Sequence, residues 1–334
     1  MNPGLAIQLR PTGPWRFGPD NGARDEAALL YRSDTLYSAV TSAMAALGDL
    51  DAWLDATARH PEGPAVAFSS LFPVLDNERY VVPPRTVWPP DAVSGKVRWK
   101  GARFVPLRLI GALYAGELPE EAEWRVDGPS QCLTPAASAG VFRTVVRSSA
   151  AVDRLHGAID AHTTAGIEFL PGAGLWTLAS FAGEAERDRW SGPVRAAFRL
   201  LADSGFGGRR SHGWGRAAEP EFSEGALPEM IIPFAGEASH WWLLSLFSPG
   251  ATDAVDWQSG NYAVVDRGGR VESPVRSGDR KKLLPMIQEG SVLASASAPR
   301  GAAPDVAPDG FPHPVYRSGF AVAIPVPAHA VAAA

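Results

Sequence analysis

The sequence predicts an α+β fold: a ferredoxin-like unit carrying a long insertion, followed by a second, strand-rich α+β domain. Three observations carry this. Two amphipathic helical stretches alternate with strand-like runs in the order β-α-β-(insertion)-β-α-β. Between them, about 81–164, lies a proline-broken segment too long to be a simple loop. After Leu227 short apolar runs recur in close succession. A length of 334 residues suits two domains of roughly 100–200 residues each, placed here at 1–226 and 227–334.

The chain opens on the strand-like "LAIQLRP". "RSDTLYSAVTSAMAALGDL" then puts Leu36, Val40, Met44 and Leu47 on one helical face, with Ser33 or Asp34 placed to cap its start and Gly48 to end it in a left-handed turn. "AVAFSSLFPVL" resumes as a strand. In the insertion, "KVRWK" alternates basic and apolar residues like a two-faced ribbon, and the length predicts a hairpin and a helix of its own. "GIEFLPGAGLWTLASF" reads as two strands about a Pro-Gly turn. "SGPVRAAFRLLADSG" is the second helix, with Pro193 in its first turn and Val194, Ala197, Phe198 and Leu201 on one face. A strand at "AAEPEF" closes the unit. Beyond it "HWWLLSLFSP", "YAVVDRGGRV", "MIQEGSVL" and "RSGFAVAIPV" read as strands, and "SASAPRGAAPDVAPDG" as a surface loop.

Composition narrows the function classes. Hydrophobic residues at 46% and charged residues at 20% give a globular balance. No run of about 18 apolar residues predicts a membrane span, and the first residues predict no secretory leader. Cys132 is the only cysteine, which excludes a disulfide framework or a cysteine-rich metal site and fits a reducing cytoplasm. A net charge of −5 argues against a free-standing nucleic-acid binder. The charge is segregated, however: "GKVRWKGARFVPLR" has five basic residues and no acid, and "RGGRVESPVRSGDRKK" has six against two acids.

The densest chemistry lies in "LLADSGFGGRRSHGWGRAAEPEF". Gly205, Gly207, Gly208, Gly213 and Gly215 surround Arg209, Arg210, His212 and Arg216, with no acid in the loop. Glycine loses the most conformational freedom on folding, so the loop is either a tight structural turn or a backbone that approaches an anion. It runs helix, loop, strand, so the helix C-terminus faces it, unlike a dinucleotide or Walker phosphate loop. Binding would then rest on backbone N–H groups, on the arginines and on stacking by Trp214 or Phe206, a combination that suits RNA. "RSSAAVDRLHGAIDAHTTAG" adds Arg147 and Arg154, as phosphate contacts or as local ion pairs. Trp88, Trp99 and Phe104 are either wedges against bases or core. The seven histidines form no metal-binding spacing. A metal-independent ribonuclease using His156 with Arg154, or His212 with Arg210, stays an alternative, as does a scaffold that binds only protein.

Several segments in order resemble one family. "RSDTLYSAV", "FSSLFPV" before "VVPPRTVWPP", "AAVDRLHGA" before "IEFLPGAGLWTL", "DSGFGGRRSHGWGR", "KKLLPMIQEGSVL" and "HPVYRSGFAVAIPV" are similar to the fourth Csm subunit of type III-A CRISPR effector complexes, from about Leu5 to Val326. The glycine-rich loop resembles the signature of the RAMP superfamily. The resemblance implies two ferredoxin-like (RRM-like) domains, no nuclease and no cofactor or metal. It implies a non-catalytic subunit of antiviral defence that grips the crRNA 5′ handle. That subunit bridges the large polymerase-like Csm subunit and a backbone RAMP subunit, with no membrane partner. A thumb-like hairpin in the insertion would order the guide beside its handle. Carried over by motif, the RNA-binding residues are Gly207, Gly208, Arg209, Arg210, Ser211 and His212, joined by Arg147, Arg154, Lys281, Lys282 and Arg317. His212 departs from the small hydroxyl residue usual there. The equivalent subunit of type III-B complexes shares the glycine-rich ending, whereas "SDTL" and "EGSV" favour III-A.

Overall fold

The computed structural model describes residues 2–19, 23–91, 93, 96–153, 155–273 and 275–331. Strand β1 (Asn2–Leu9) is apolar nearly throughout because both of its faces are covered. Helix α1 (Ser33–Leu47) buries Leu36, Val40 and Met44, while Leu47, 42% exposed, falls off the stripe. Gly48 ends the helix in the left-handed conformation at φ 90°, as the sequence predicts. The cap at the other end differs. Arg32 holds the N-cap position without a side-chain capping bond to the helix, because Ser33 and Asp34 are buried and turned to other partners. Short α2 (Leu50–Ala56) buries Trp53 against Tyr37 and Trp190, at ring separations of 5.7 and 5.4 Å.

"AVAFSSLFPVL" forms two strands, β2 (Val66–Phe68) and β3 (Phe72–Leu75). Ser69 and Ser70 break the run with their hydroxyls: Ser69 accepts from the Leu178 N–H, and Ser70 donates to Glu289. Strand β4 (Glu78–Val81) follows. "KVRWK" is then a single helical turn, α3 (Lys96–Trp99), and not a ribbon; Trp99 is buried and stacks on Trp88 at 5.4 Å and 8°. The rest of the insertion comprises β5 (Val105–Pro106), α4 (Leu107–Tyr114) and the hairpin of β6 (Trp124–Asp127) with β7 (Cys132–Pro135). A second hairpin pairs β8 (Phe142–Val152) with β9 (Ile159–Phe169) over eleven residues each. Its root is buried at Phe142, Ala165 and Ile167, but towards its tip Val152, Leu155 and Ile159 are 59%, 89% and 70% exposed.

Strand β10 (Ala173–Phe181) leads into α5 (Glu184–Ser204). Pro193 lies inside this helix rather than in its first turn, since the helix starts nine residues earlier. Those early turns are charged and surface-lying, with Glu184 and Glu186 favourably placed at the positive end of the helix dipole. The predicted face holds: Val194, Ala197, Phe198 and Leu201 are buried. The last strand of this half, β11 (Glu221–Leu227), begins near the end of "AAEPEF".

The main sheet has seven strands in the order β11-β1-β10-β3-β4-β5, with β2 also pairing β10, and its named pairs are antiparallel. Taken with α1 and α5, the order last-first-third-second is that of a β-α-β-β-α-β unit. Phe198 of α5 packs at 5.9 Å on Phe68, which is in register with Ala179 and through it with Leu5. On the opposite side of the pleat Met230 closes over Gly4 and Gly225, where a Cβ would approach within 2.9 and 2.6 Å.

The C-terminal part holds β12 (His240–Leu243), β13 (Val255–Asn261), β14 (Val264–Arg267), β15 (Leu284–Ile287), β16 (Val292–Ser295) and β17 (Ala323–Pro325). They form a four-stranded sheet, β13-β16-β12-β17, and a separate β14-β15 pair. Among the described residues no α-helix follows Ser204, so the expected helical component is missing from this half. Its interior continues the first core: Trp242, Val292, Phe320 and Ile324 share one buried cluster with Leu36 and Tyr37.

A polar knot ties the halves. Asp34, fully buried, accepts from Arg267 Nη2 at 3.0 Å and Nε at 3.1 Å, and from Arg317 Nη1. Burial alone would raise its carboxyl, yet Arg267 and Arg317 hold it below the usual carboxylate range. Alongside, Arg32 pairs with Glu289, and Ser33 accepts from the Leu246 N–H at 2.9 Å.

Candidate nucleic-acid interface

The loop after α5 folds back on itself. The Phe206 N–H donates to Gly215 O at 2.9 Å, the Gly215 N–H to Pro14 O at 2.9 Å, and the Gly208 N–H to Arg16 O at 3.0 Å. This packing sets its glycine content. Gly215, at φ 82°, leaves 2.0 Å between a would-be Cβ and Phe206 O. Gly207, at φ 70°, leaves 2.3 Å to Arg16 O. No side chain fits against backbone at such distances, so these glycines answer to the protein's own chain.

The loop's aromatics also turn inward. Phe206 is fully buried and stacked on Trp15 at 5.1 Å and 15°. Trp214 is buried over Gly166, whose Cβ would meet its ring at 2.5 Å. Neither presents a face to a base, contrary to the sequence expectation; both anchor the loop. Trp99 and Phe104 of the insertion are buried likewise, and Trp88 is stacked on Trp99.

What remains outward is the tip. Arg209 adopts the left-handed conformation at φ 65°, a strained state for a residue with a Cβ, and starts a 3-10 turn over Arg210–His212. Its guanidinium donates to Thr164 Oγ1 at 3.1 Å. Arg210 reaches Glu272 of the C-terminal half at 2.7 Å, an ion pair with 40% and 80% of its side chains exposed. Ser211 and His212 are exposed, Ser211 Oγ lying 3.2 Å from His212 Nδ1, and Arg216 is exposed beside them.

Other cations crowd this surface. Arg16 lies beneath the tip and donates to the carbonyls of Ala23 and Ala165 at 2.7 and 2.6 Å. Desolvation, with Arg209 and then Arg24 nearby, lowers its pKa. Arg147 sits 5.5 Å over the Trp214 ring and pairs with Glu168 at 2.8 Å, so hairpin root and loop meet there. Hydrogen bonds from Arg147 and Arg143 keep the Glu168 carboxyl below its ordinary range.

The remaining sequence candidates scatter. Lys282 is exposed and paired with Asp309 at 2.8 Å. Lys281 is half-buried near Arg317, Asp34, Glu272 and Arg267, and desolvation brings its amine down to about 8. Arg317 is the clear departure: 6% exposed and committed to Asp34 and Gly268 O, it serves the interior and not an open face. Arg154 lies outside the described residues. His156 Nδ1 sits 2.8 Å from Asp153 Oδ2 at the hairpin turn, away from the glycine-rich loop. Among the described residues no three His, Cys, Asp or Glu side chains gather as a metal site.

Sequence reading missed Arg16, Thr164, Glu168 and Glu272. Nothing in their local sequence marks them. Glu272 stands 62 residues from Arg210, and only the fold brings them together.

This fold is similar to that of chains found in structures of type III CRISPR complexes. One similar chain, from the Csm3-Csm4 subcomplex of the type III-A CRISPR-Cas interference complex, is 15% identical with a TM-score of 0.65, over 97% of this chain and 99% of that one. Another, from a Csm1-Csm4 cassette in complex with cA4, is 19% identical with a TM-score of 0.59, over 97% and 98%. A third, from the cassette in complex with pppApA, is 20% identical with a TM-score of 0.56, again over 97% and 98%. Identities this low speak for the fold. The family itself enters through residues 236–326, which match the CRISPR Csm4 C-terminal domain. The resemblance to the fourth Csm subunit is thereby borne out. No curated protein matches the sequence. Among the described residues no helix is long and apolar enough to cross a membrane.

Proposed function

We propose that this chain is the non-catalytic crRNA-binding subunit of a type III-A CRISPR (Csm) interference complex. It grips the 5′ handle and bridges the large polymerase-like subunit, Csm1, to the backbone subunit, Csm3. Solved structures that pair Csm4 with each of these subunits support the partners. The observation that carries the RNA role is the strained, outward Arg209–His212 tip. It is held on a rigid, self-packed loop among Arg16, Arg24 and Arg147. Strain kept at an exposed cationic turn is characteristic of binding sites. The glycines serve this indirectly, by letting the loop pack so tightly that its tip stands fixed.

In this reading both halves are ferredoxin-like domains, 1–226 and 227–334, the second degenerate to sheet and loop. The β8-β9 hairpin is the thumb, and the complex works in the cytoplasm without a cofactor. RNA contacts come from Arg209, Arg210, Ser211 and His212, with Arg147, while Gly207 and Gly208 pack on Arg16 and hold the tip in place. No catalytic residue is assigned.

The test is an Arg209→Ala/Arg210→Ala variant of the full chain, titrated with repeat-derived RNA at several salt concentrations. Losing two phosphate contacts should flatten the log–log salt slope by about 1.4, at roughly 0.7 per contact for single strands. An unchanged affinity and slope would reject the phosphate role. Metal-free cleavage of the RNA, abolished by His156→Ala or His212→Ala, would reject the non-catalytic assignment.

A further inference from the structure

The side of the main sheet away from α5 is covered incompletely. Met230 closes over Gly4 at one place, and α4 follows β5 at the far edge. Between the two lies a cavity of about 570 Å³, within the roughly 300–1,000 Å³ of ligand sites. Ile231, Ile232 and Leu107 give it apolar walls, and Gln8, Arg79 and Arg108 give it polar ones. Strand register puts the polar groups on this side. Gln8 shares the face of Gly4 by the two-residue period of β1, and Trp176 lies opposite Gln8. Arg79 pairs with Val74 and through it with Gly174, on the face of Trp176, and its guanidinium lies 5.2 Å over the Trp176 ring.

That ring is all that holds it. Among the described residues the Arg79 guanidinium has no hydrogen bond or ion pair, and the Gln8 amide is likewise without a side-chain partner. The carboxylate lining the cavity, Glu78, is bound to Arg108 at 2.5 Å. The cavity is therefore left with one uncompensated positive charge, on a half-buried side chain, which is unfavourable without an anion. Desolvation lowers the pKa of Arg79, and no acid opposes it. The cavity also adjoins the glycine-rich loop. The Thr12 N–H donates to Arg216 O at 3.0 Å, and Gln8 lies four residues before Thr12, at most about 14 Å along the chain. Arg10, exposed and paired with Glu221, stands between them.

We infer that this cavity is a nucleotide subsite for the RNA strand that the loop tip grips: Arg79 takes a backbone phosphate, Gln8 bonds the sugar or base edge, and Ile231, Ile232 and Leu107 cover the base. The inference rests on the RNA-binding function proposed above and adds a second contact, on the open side of the sheet. The guanidinium fork matches two phosphate oxygens. A phosphodiester brings one negative charge, which is what the cavity lacks, whereas the terminal phosphate of a free nucleotide brings nearly two at neutral pH. The apolar walls suit a planar base and would exclude a hydrated ion. Continuity with the loop, through Arg216 and Arg10, makes a single strand the occupant.

The experiment is fluorescence-anisotropy titration of the full-length chain with repeat-derived single-stranded RNA at several salt concentrations. Arg79→Met keeps a stem on Trp176 and should bind about tenfold weaker, with a log–log salt slope flatter by about 0.7. Arg79→Lys should restore the slope but only part of the affinity, because the charge returns without the fork. Adding Arg79→Met to Arg209→Ala/Arg210→Ala should flatten the slope by about 2.1 in all, for three phosphates of one strand. Irradiation with thiouridine-labelled RNA should link it to peptides holding Leu107 or Ile231, and Arg79→Met should lose those links while keeping the ones at the tip. AMP should compete weakly; AMP that binds as tightly as the RNA overturns the strand as occupant. Unchanged affinity and slope in Arg79→Met, or no link to either peptide, overturns the subsite and leaves the tip's RNA binding intact. Equal losses in Arg79→Met and Arg79→Lys, with a lowered melting temperature in both, overturn it in favour of a packing role. A wild-type chain that binds no RNA overturns the function as well.

Discussion

Replacing Asp34 by asparagine keeps the side chain's shape and removes its charge. The carboxylate is fully buried and receives two guanidiniums whose side chains are only 9% and 6% exposed. Without it two buried cations face each other unmatched, and breaking a buried pair from one side costs about 3–5 kcal/mol. With an unfolding entropy of about 2.1 cal/mol/K per residue, a chain of 334 residues loses roughly 0.7 kcal/mol per degree, so the melting temperature should fall by about 4–7 °C. The fall should be accompanied by faster amide exchange in β14, β15 and residues 315–320, which Asp34 ties to α1. Calorimetry and exchange mass spectrometry read the two effects. Replacing all three partners by apolar residues (Asp34→Leu, Arg267→Met, Arg317→Leu) should recover most of the loss, because the penalty comes from stranded charge. A melting temperature within about 1 °C of wild type for Asp34→Asn, with unchanged exchange, would refute the reasoning.

Further outcomes follow from the same contacts. Acid should probe Asp34 directly. Its pKa is depressed in the folded chain, so its contribution is complete above the unfolded value of about 3.9 and is lost as pH falls through the lower folded value. Acid unfolding followed by tryptophan fluorescence should therefore be less steep in Asp34→Asn, and equal steepness would count against the assignment. In the loop, Gly213→Ala meets open space and should cost only the left-handed penalty of about 1–2 kcal/mol. Gly215→Ala and Gly207→Ala add a collision with backbone and should melt clearly lower without any RNA present. Equal losses at all three positions would show that packing does not set the glycine content.

How much of this was legible in the sequence depends on whether the cause is local. Helix α1 was, because Leu36, Val40 and Met44 keep a helical stripe and Gly48 is a local stop signal. The first half of α5 was not, since charged residues on a surface leave no stripe and Pro193 looks like a helix start. "KVRWK" misled because alternation in five residues fits either period, and the stacking of Trp99 on Trp88 decides it. The glycine-rich loop was found, but its glycines were credited to a ligand when Phe206 O and Arg16 O require them. Ser33 and Asp34 looked like helix caps, and Arg317 like an outward contact. Their partners come from the other half of the chain, as does Glu272 for Arg210, while Glu168 meets Arg147 across the β8-β9 hairpin. Pairings of that kind carry no signature in sequence.

The seating of Trp214 on Gly166 has a mechanical consequence. Gly166 belongs to the root of the projecting β8-β9 arm, and Arg147 on the neighbouring strand holds the same indole from its face. The arm therefore cannot tilt about its base without pressing on the ring, and the ring's backbone is hydrogen-bonded into the turn that carries Arg209. Arm and turn thus share one seat, the indole joining the base of the arm to the segment that carries Arg209.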